Sequence, residues 1–360
     1  MLHAMIMAGG GGTRFWPRSR SARPKQFLAF SGDRTLLQGT RDRIEAQVPP
    51  ERTWVITGGA HRGEAAKQLP ELADNRIVGE PQGRDTAACI GLGAALIAKE
   101  DPDAVMMVMP ADHVIEPVQE FRRAAHAAAQ LAEAHPQALI TFGIPPTFPS
   151  TGYGYIHRGA EFDKRQGVTA YKVKEFKEKP KFDAAEKYVA SGEYYWNSGI
   201  FVWKVATILH ELRTHKPKLM ESIDRIAAAW GTSAQDEIFQ REYANAEKIS
   251  VDFAVMEKAK EVLVVQAPYQ WDDVGSWLAL ERRNPQDAEG NTVQAKHLGI
   301  KTSKCVIVAD PGHLIATIGV SDLLIVQDGN ATLIADRAEE GTVKEIVDAL
   351  KKMNDGKNYL

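Results

Sequence analysis

The residues best suited to chemistry open the chain. Ala8-Gly9-Gly10-Gly11-Gly12-Thr13-Arg14 follows the apolar run Met5–Met7, and Arg18 and Lys25 come soon after. Glycines let backbone N–H groups approach a phosphate closely. An arginine can hold phosphate oxygens bidentately, and a lysine acts as a point charge. Together they suit a polyphosphate. Two familiar phosphate loops do not fit: Gly-Lys-Ser/Thr is absent, and Arg14 stands where a dinucleotide fingerprint needs its third glycine. That argues against a nicotinamide-dependent oxidoreductase.

Two carboxylates extend the set. Asp112 ends the apolar stretch Val105–Met109 through Pro110-Ala111, and Asp273 lies in Trp271-Asp272-Asp273-Val274-Gly275-Ser276-Trp277. Magnesium takes oxygen ligands, typically one or two carboxylates plus substrate phosphates. Asp112 and Asp273 supply such a pair if the fold brings them together; read singly, each is a turn residue or helix cap. None of the ten histidines lies in His-Glu-x-x-His, which leaves zinc without support. Glu80-Pro81 and Asp85-Thr86 form a third group. A carboxylate could accept the amino donor that separates guanine from adenine, and Asp85 is equally well read as a helix cap.

These residues need a scaffold that ends strands at one place. Strand-like runs at Met5–Met7, Thr53–Thr57, Val105–Met109 and Ala138–Gly143 alternate with helical spacing over Leu36–Ala46, Asp85–Glu100 and Phe121–Ala134. The alternation predicts an α/β fold with a mixed, mainly parallel sheet covered by helices. Ligands of such sheets sit beyond the carboxyl ends of the strands, where Gly9–Arg14, Glu80–Asp85 and Asp112 all fall. Further strands are expected at Tyr171–Phe176, Ser198–Trp203 and Val262–Ala267, and helices at Phe182–Ser191, Val205–His215 and Leu219–Ala229. Thr151–Ile156 reads as a flexible loop, and Ser250–Lys258 as a mostly buried amphipathic helix. A polar, turn-rich stretch over 284–291 marks a boundary, giving a domain at 1–285 and another at 291–360. The latter carries short apolar runs such as Cys305–Val308, Leu314–Ile318 and Leu323–Val326, which predict a small β-rich, β-helix-like unit closed by a helix over Gly341–Lys352.

Composition narrows the class. A net charge of −3, from 44 basic and 47 acidic side chains, argues against a nucleic-acid binder working through a broad basic surface. Two distant cysteines argue against a disulfide framework. No apolar run reaches the ~20 residues of a membrane helix, and Ala4–Ala8 is too short for a signal-peptide core. A cytoplasmic protein without a membrane partner is expected.

Gly9–Ser19 with Pro24-Lys25-Gln26-Phe27 resembles the signature of the sugar-nucleotide pyrophosphorylases, specifically the mannose-1-phosphate guanylyltransferases. Asp112-His113, Glu178-Lys179-Pro180, Asn197-Ser198-Gly199, Ser250–Glu257 and Trp271–Trp277 match that family in order, from Met5 to about residue 350. The resemblance implies a Rossmann-like nucleotidyltransferase domain that joins GTP and mannose 1-phosphate into GDP-mannose, releasing pyrophosphate, with Mg2+ as cofactor. By that resemblance Ala8, Gly9 to Gly12, Thr13, Arg14 and Lys25 hold the nucleotide, with Glu80, Pro81, Asp85, Thr86 and Asp112 also contacting it. Arg14, Lys25, Asp112 and Asp273 are the catalytic set, the two aspartates being the metal ligands and Asp272 a neighbour. Glu178 and Asn197 map to sugar hydroxyls, Gly152 to a backbone approach, and Lys179 to the sugar phosphate. The chain departs from the family at Asp85-Thr86-Ala87-Ala88, where many members carry Asn-Thr-Ala-Pro, so guanine selection is not fixed by one residue. Another sugar 1-phosphate, such as a heptose or glucose derivative, and a regulator that has lost the reaction are the alternatives. Family members with a fused isomerase module are longer, so no isomerase activity is expected, and a homodimer is.

Overall fold

Val105-Met106-Met107-Val108-Met109 is apolar at every position because its strand is buried on both faces, the signature of a central strand in a helix-covered sheet. The computed structural model describes residues 1–30 and 32–360. In the first of two units, made of Met1–Gly9, Thr40–Ala111 and Ile115–Trp271, that strand belongs to a nine-stranded sheet. Its strands are β1 (Leu2–Ala8), β2 (Thr53–Gly58), β3 (Ile77–Glu80), β4 (Val105–Pro110), β5 (Leu139–Ile144), β6 (Tyr155–Arg165), β7 (Val168–Lys177), β8 (Tyr194–Lys204) and β9 (Val262–Gln266). The spatial order is β3-β2-β1-β4-β8-β5-β9-β7-β6. The pairs β3–β2, β2–β1, β1–β4 and β5–β9 are parallel. Strands β8 and β7 run against the rest. The sheet is thus mixed and mainly parallel, as the alternation predicts.

Register aligns the strand ends. Ala8 pairs with Thr57, Gly58 with Glu80 and Met7 with Pro110, so Gly9, Glu80 and Ala111 leave the sheet at one edge. Helices α1 (Asp85–Glu100), α2 (Val118–Ala134), α3 (Phe182–Ser191), α4 (Val205–His215), α5 (Pro217–Ala229) and α6 (Gln235–Asn245) cover this unit. Met5, Met106, Val108 and Leu139 share one core with α1 residues Ala88 and Leu92, with Leu212 of α4 and with Ile223 of α5. Phe142 is three positions from Leu139 and so faces the other side of the sheet, where it meets Phe121 of α2 at 6.4 Å between ring centroids. Each sheet face therefore has its own helical cover.

The second unit gathers Gly10–Gly39, Asp112–Val114 and Asp272–Leu360. Strands β10 (Thr292–Gln294), β12 (Val306–Val308), β14 (Leu323–Asp328) and β15 (Ala331–Asp336) form one sheet in that order, while β11 (Lys296–Ile300) pairs in parallel with β13 (Leu314–Ile318). Thr292, Val306 and Leu324 stack as successive parallel rungs, the repeat of a β-helical coil. Helix α7 (Val343–Leu350) adds Val343, Val347 and Leu350 to its core. That core also takes Phe15, Trp16, Leu28, Phe30 and Trp277, with Phe15 edge-on to Phe30 at 4.6 Å and to Trp277 at 5.2 Å. These buried rings tie the glycine-rich segment to the C-terminal strands. Among the described residues no helix is long and apolar enough to cross a membrane, and both cysteines are free and buried.

Candidate functional site

The second unit contains a cavity of about 290 Å3 lined by Gly12, Thr13, Arg14, Phe15, Lys25, Asp112, His113, Asp273 and Gly275. Its wall begins with a tight turn. Gly12 adopts φ 54°, the left-handed region, and its carbonyl accepts the Phe15 N–H at 3.1 Å, starting a single turn over Thr13–Phe15. A side chain at Gly12 would run into the Lys25 Cβ and come within 2.8 Å of the Lys25 backbone nitrogen. Glycine is therefore required twice, for its φ and for its lack of bulk. Ser19 Oγ donates to the Gly11 carbonyl at 3.2 Å, and Gln26 Nε2 to that of Gly10 at 3.4 Å, which fixes the loop from below.

Lys25 is buried, 6% exposed, above the Phe15 ring at 5.8 Å. Its Nζ donates to Asp112 Oδ2 at 2.8 Å and to the Asp273 carbonyl at 2.5 Å. One ammonium thus joins two segments remote in sequence. Desolvation opposes ionisation of Asp112, yet the Lys25 charge, followed by His113, holds its carboxyl below the usual value. His113 Nε2 lies 3.8 Å from Asp112 Oδ1. Asp272 is committed elsewhere: its carboxylate takes Arg282 at 2.7 and 3.0 Å and the Val274 N–H at 2.8 Å.

Of the expected site residues, Gly12, Thr13, Arg14, Lys25, Asp112 and Asp273 line this one cavity. Gly10 and Gly11 belong to the same loop, while Ala8 ends β1 and Gly9 follows it. Arg18 turns away from the cavity lining and lies 3.6 Å from Asp328, so proximity in sequence misplaces it. Among the described residues no three His, Cys, Asp or Glu side chains cluster as a metal cage. Two carboxylates beside cationic side chains fit magnesium completed by phosphate oxygens rather than a closed protein site.

In the first unit, Glu80 ends β3 and is 6% exposed, bonded by the Tyr243 hydroxyl. Burial pushes its carboxyl up to about 7 although the Tyr243 bond works the other way. A Cβ on Gly9 would sit 3.8 Å from Glu80 Oε2, which puts this carboxyl against the loop's first glycine. Pro81 follows, half-buried. Asp85 starts α1 with φ 64° and accepts the Thr86 N–H at 2.8 Å. That bond goes one residue ahead, short of the second or third N–H that a cap satisfies. The Thr86 hydroxyl accepts the Val251 N–H at 2.8 Å, tying α1 to the 249–251 segment.

The remaining candidates also lie in the first unit. Asn197 on β8 is half-buried, and Glu178 and Lys179 follow β7, paired to each other at 2.8 Å, with Lys179 at φ 42°. Gly152 N–H donates to Ser150 Oγ at 3.2 Å. Two residues on, the backbone of Gly154 packs closely against its neighbours. Its carbonyl accepts the Asn197 N–H at 2.8 Å, and a Cβ there would lie 2.7 Å from Glu178 Oε2. Asp252 was not expected at all: it accepts Asn197 Nδ2 at 2.8 Å, from a short π-helical stretch over Asp252–Met256.

The chain matches the nucleotidyl transferase family over residues 3–290 and the MannoseP isomerase/GMP-like beta-helix domain over 295–350. It is 40% identical to the mannose-1-phosphate guanylyltransferase of Escherichia coli K12, across 97% of this chain and 73% of that protein. It is 40% identical to the enzyme of that name from Klebsiella pneumoniae, across 98% and 74%. A crystal structure from Thermus thermophilus, described as a mannose-1-phosphate geranyltransferase, superposes with TM-score 0.86 at 37% identity, covering 97% of this chain and 99% of that one.

Proposed function

Since the chain belongs to the nucleotidyltransferase family, among the mannose-1-phosphate guanylyltransferases, we propose that it makes GDP-mannose and pyrophosphate from GTP and mannose 1-phosphate. The observation that carries the reading is Lys25, held by Asp112 and by the Asp273 carbonyl in a cavity walled by Gly12, Thr13 and Arg14. A phosphate oxygen of the sugar 1-phosphate attacks the α-phosphorus of GTP. The new P–O bond forms as the bond to the bridging oxygen breaks, and its electron pair leaves with pyrophosphate. The nucleophile is already an anion, so no general base is needed. Rate comes from alignment and from positive charge preset around the phosphates by Arg14 and Lys25. Mg2+ held by Asp112 and Asp273 would neutralise charge on the leaving pyrophosphate.

Ala8 and Gly9 to Thr13 cradle the triphosphate, while Glu80, Pro81, Asp85 and Thr86 recognise the base. Glu178 and Asn197 bind sugar hydroxyls with a backbone contact at Gly152, and Lys179 neutralises the sugar phosphate. The catalytic domain spans 1–285 and the β-helical one 291–360. The protein works in the cytoplasm as a homodimer, a reading supported by Leu298, Ile300, Leu314 and Ile318 on β11 and β13. These side chains are all more than half exposed.

Purified protein given paired substrates tests the reading. GTP with mannose 1-phosphate in magnesium is expected to release pyrophosphate and GDP-mannose one to one, faster than glucose or heptose 1-phosphates or other nucleoside triphosphates. Turnover with another pair alone would replace the substrate assignment. Silence with every pair would favour a non-catalytic regulator.

A further inference from the structure

Asn197 is clamped at both ends of its amide. Its Nδ2 donates to Asp252 Oδ1 at 2.8 Å. Its Oδ1 accepts the Gly199 N–H at 3.3 Å and lies 3.3 Å from the Thr141 hydroxyl, whose single proton also has the Ile200 carbonyl at 3.1 Å. The Gly199 N–H takes up one lone pair of the amide oxygen, while Nδ2 keeps one hydrogen after its bond to Asp252. The hydrogen left on Nδ2 is what Asn197 can offer to an acceptor on a ligand. Glu178 sits beside the same backbone, its Oε2 close to Gly154, whose carbonyl accepts the Asn197 N–H. As a carboxylate, Glu178 can only accept, so a ligand must donate to it. The two side chains have opposite hydrogen-bonding polarity, and it is Asp252 that fixes which way Asn197 faces. With the amide flipped, Oδ1 would face the Asp252 carboxylate, acceptor against acceptor.

We propose that Asp252 is a positioning residue for sugar selection: by taking one Asn197 amide hydrogen it aims the other at a sugar hydroxyl and sets the orientation in which adjacent hydroxyls are read. The inference rests on the functional reading above, in which Asn197 and Glu178 bind the sugar. Asp252 itself touches no reacting atom. Its carboxyl has been pushed up to about 6, first by burial and further by the neighbouring Glu178 charge, against the Asn197 bond. A half-buried acid held next to another carboxylate is costly to keep, and orienting Asn197 is a use that offsets the cost.

The test is a set of variants assayed with GTP and mannose 1-phosphate, and with glucose 1-phosphate as the competing sugar. Asp252→Ala frees the amide to rotate and leaves its N–H unpaired, a change on the order of tenfold in binding. The expected result is a KM for mannose 1-phosphate raised on the order of tenfold, a KM for GTP within about twofold of wild type, and a narrower preference over glucose 1-phosphate. Asp252→Asn keeps an oxygen that can accept from Asn197 and should recover most of the loss. Asn197→Ala combined with Asp252→Ala should be little worse than Asn197→Ala alone, because Asp252 acts through Asn197. An unchanged sugar KM in Asp252→Ala would overturn the proposal, as would additive losses in the double variant. Equal rises in both KM values, unrelieved in Asp252→Asn, would reduce Asp252 to a folding role and also overturn it. Wild-type protein that makes no GDP-mannose would instead sink the functional reading beneath it, a result seen before any variant is compared.

Discussion

Gly12→Ala puts one methyl group where the structure has no room. Gly12 sits at φ 54°, and the left-handed region costs a non-glycine residue about 1 kcal/mol. The larger effect is the collision. The new Cβ would overlap the Lys25 Cβ and lie 2.8 Å from its backbone nitrogen, where ordinary contact begins at 3.4 Å. Lys25 must retreat by more than half an ångström, and its Nζ now holds Asp112 at 2.8 Å and the Asp273 carbonyl at 2.5 Å. A misplacement near 1 Å at a site that works by alignment costs on the order of 100-fold in rate. We therefore expect kcat/KM to fall by about that factor, roughly 3 kcal/mol of transition-state stabilisation. The assay is initial-rate pyrophosphate release at varied GTP, alongside thermal melting. Overpacking of about 1–3 kcal/mol should lower the melting midpoint by several degrees without loss of the folded signal. Gly63→Ala is the control for an added methyl, because that position has open space around it. Activity of Gly12→Ala within threefold of wild type, with an unshifted melt, would refute the reasoning.

Other outcomes are equally specific. Asp273→Asn should lower turnover at least tenfold at ordinary magnesium while leaving the melt intact, and recovery at very high magnesium would identify weakened cation binding; near-normal turnover defeats the assignment. Glu80 gives a pH signature. Its folded-state pKa of about 7, against an ordinary 4.5, means the folded state keeps a proton that the unfolded chain gives up between those values. Its contribution to stability is complete below pH 4.5, declines as pH rises, and is gone above 7, by at most about 3 kcal/mol. Glu80→Gln should flatten that decline, gaining on wild type between pH 5 and 8 in denaturant titrations; parallel pH curves for the two proteins would contradict it. Ile318→Asp, on the exposed face of β13, should shift the solution mass from dimer to monomer with activity per chain retained, whereas an unchanged mass would place any interface elsewhere.

How much of this was readable in advance depends on the kind of signal. Buried runs such as Val105–Met109 advertise their strand because burial on both faces leaves no polar position, and the residues that interrupt such runs, Gly9 and Asp112, were legible as strand-end residues. The weaker elements hid for opposite reasons. Strand β6 begins beside Tyr153-Gly154 and is bulged and half-exposed over much of its length, so it reads as loop. Lys296-His297-Leu298-Gly299-Ile300 lies mostly in solvent, and Gln235–Asn245 is too polar for its helical period to stand out. Within the site, Arg18 shows the limit of adjacency: the turn at Thr13–Phe15 sends it to Asp328 while Arg14 lines the cavity. Asp252 shows the limit of periodicity. Nothing in Ser250–Glu257 distinguishes a buried helix from a segment delivering one carboxylate to Asn197, because the pairing exists only after folding.

The central claim is that Asp112 and Asp273 share one cation beside a triphosphate held over the Gly12 turn. A crystal structure of the protein with magnesium and a non-hydrolysable GTP analogue tests it most directly. The account predicts a cation about 2.1 Å from an oxygen of each aspartate, completed by phosphate oxygens, with Arg14 and Lys25 on the triphosphate. A triphosphate bound away from these residues, or a cation that ignores either aspartate, would contradict it.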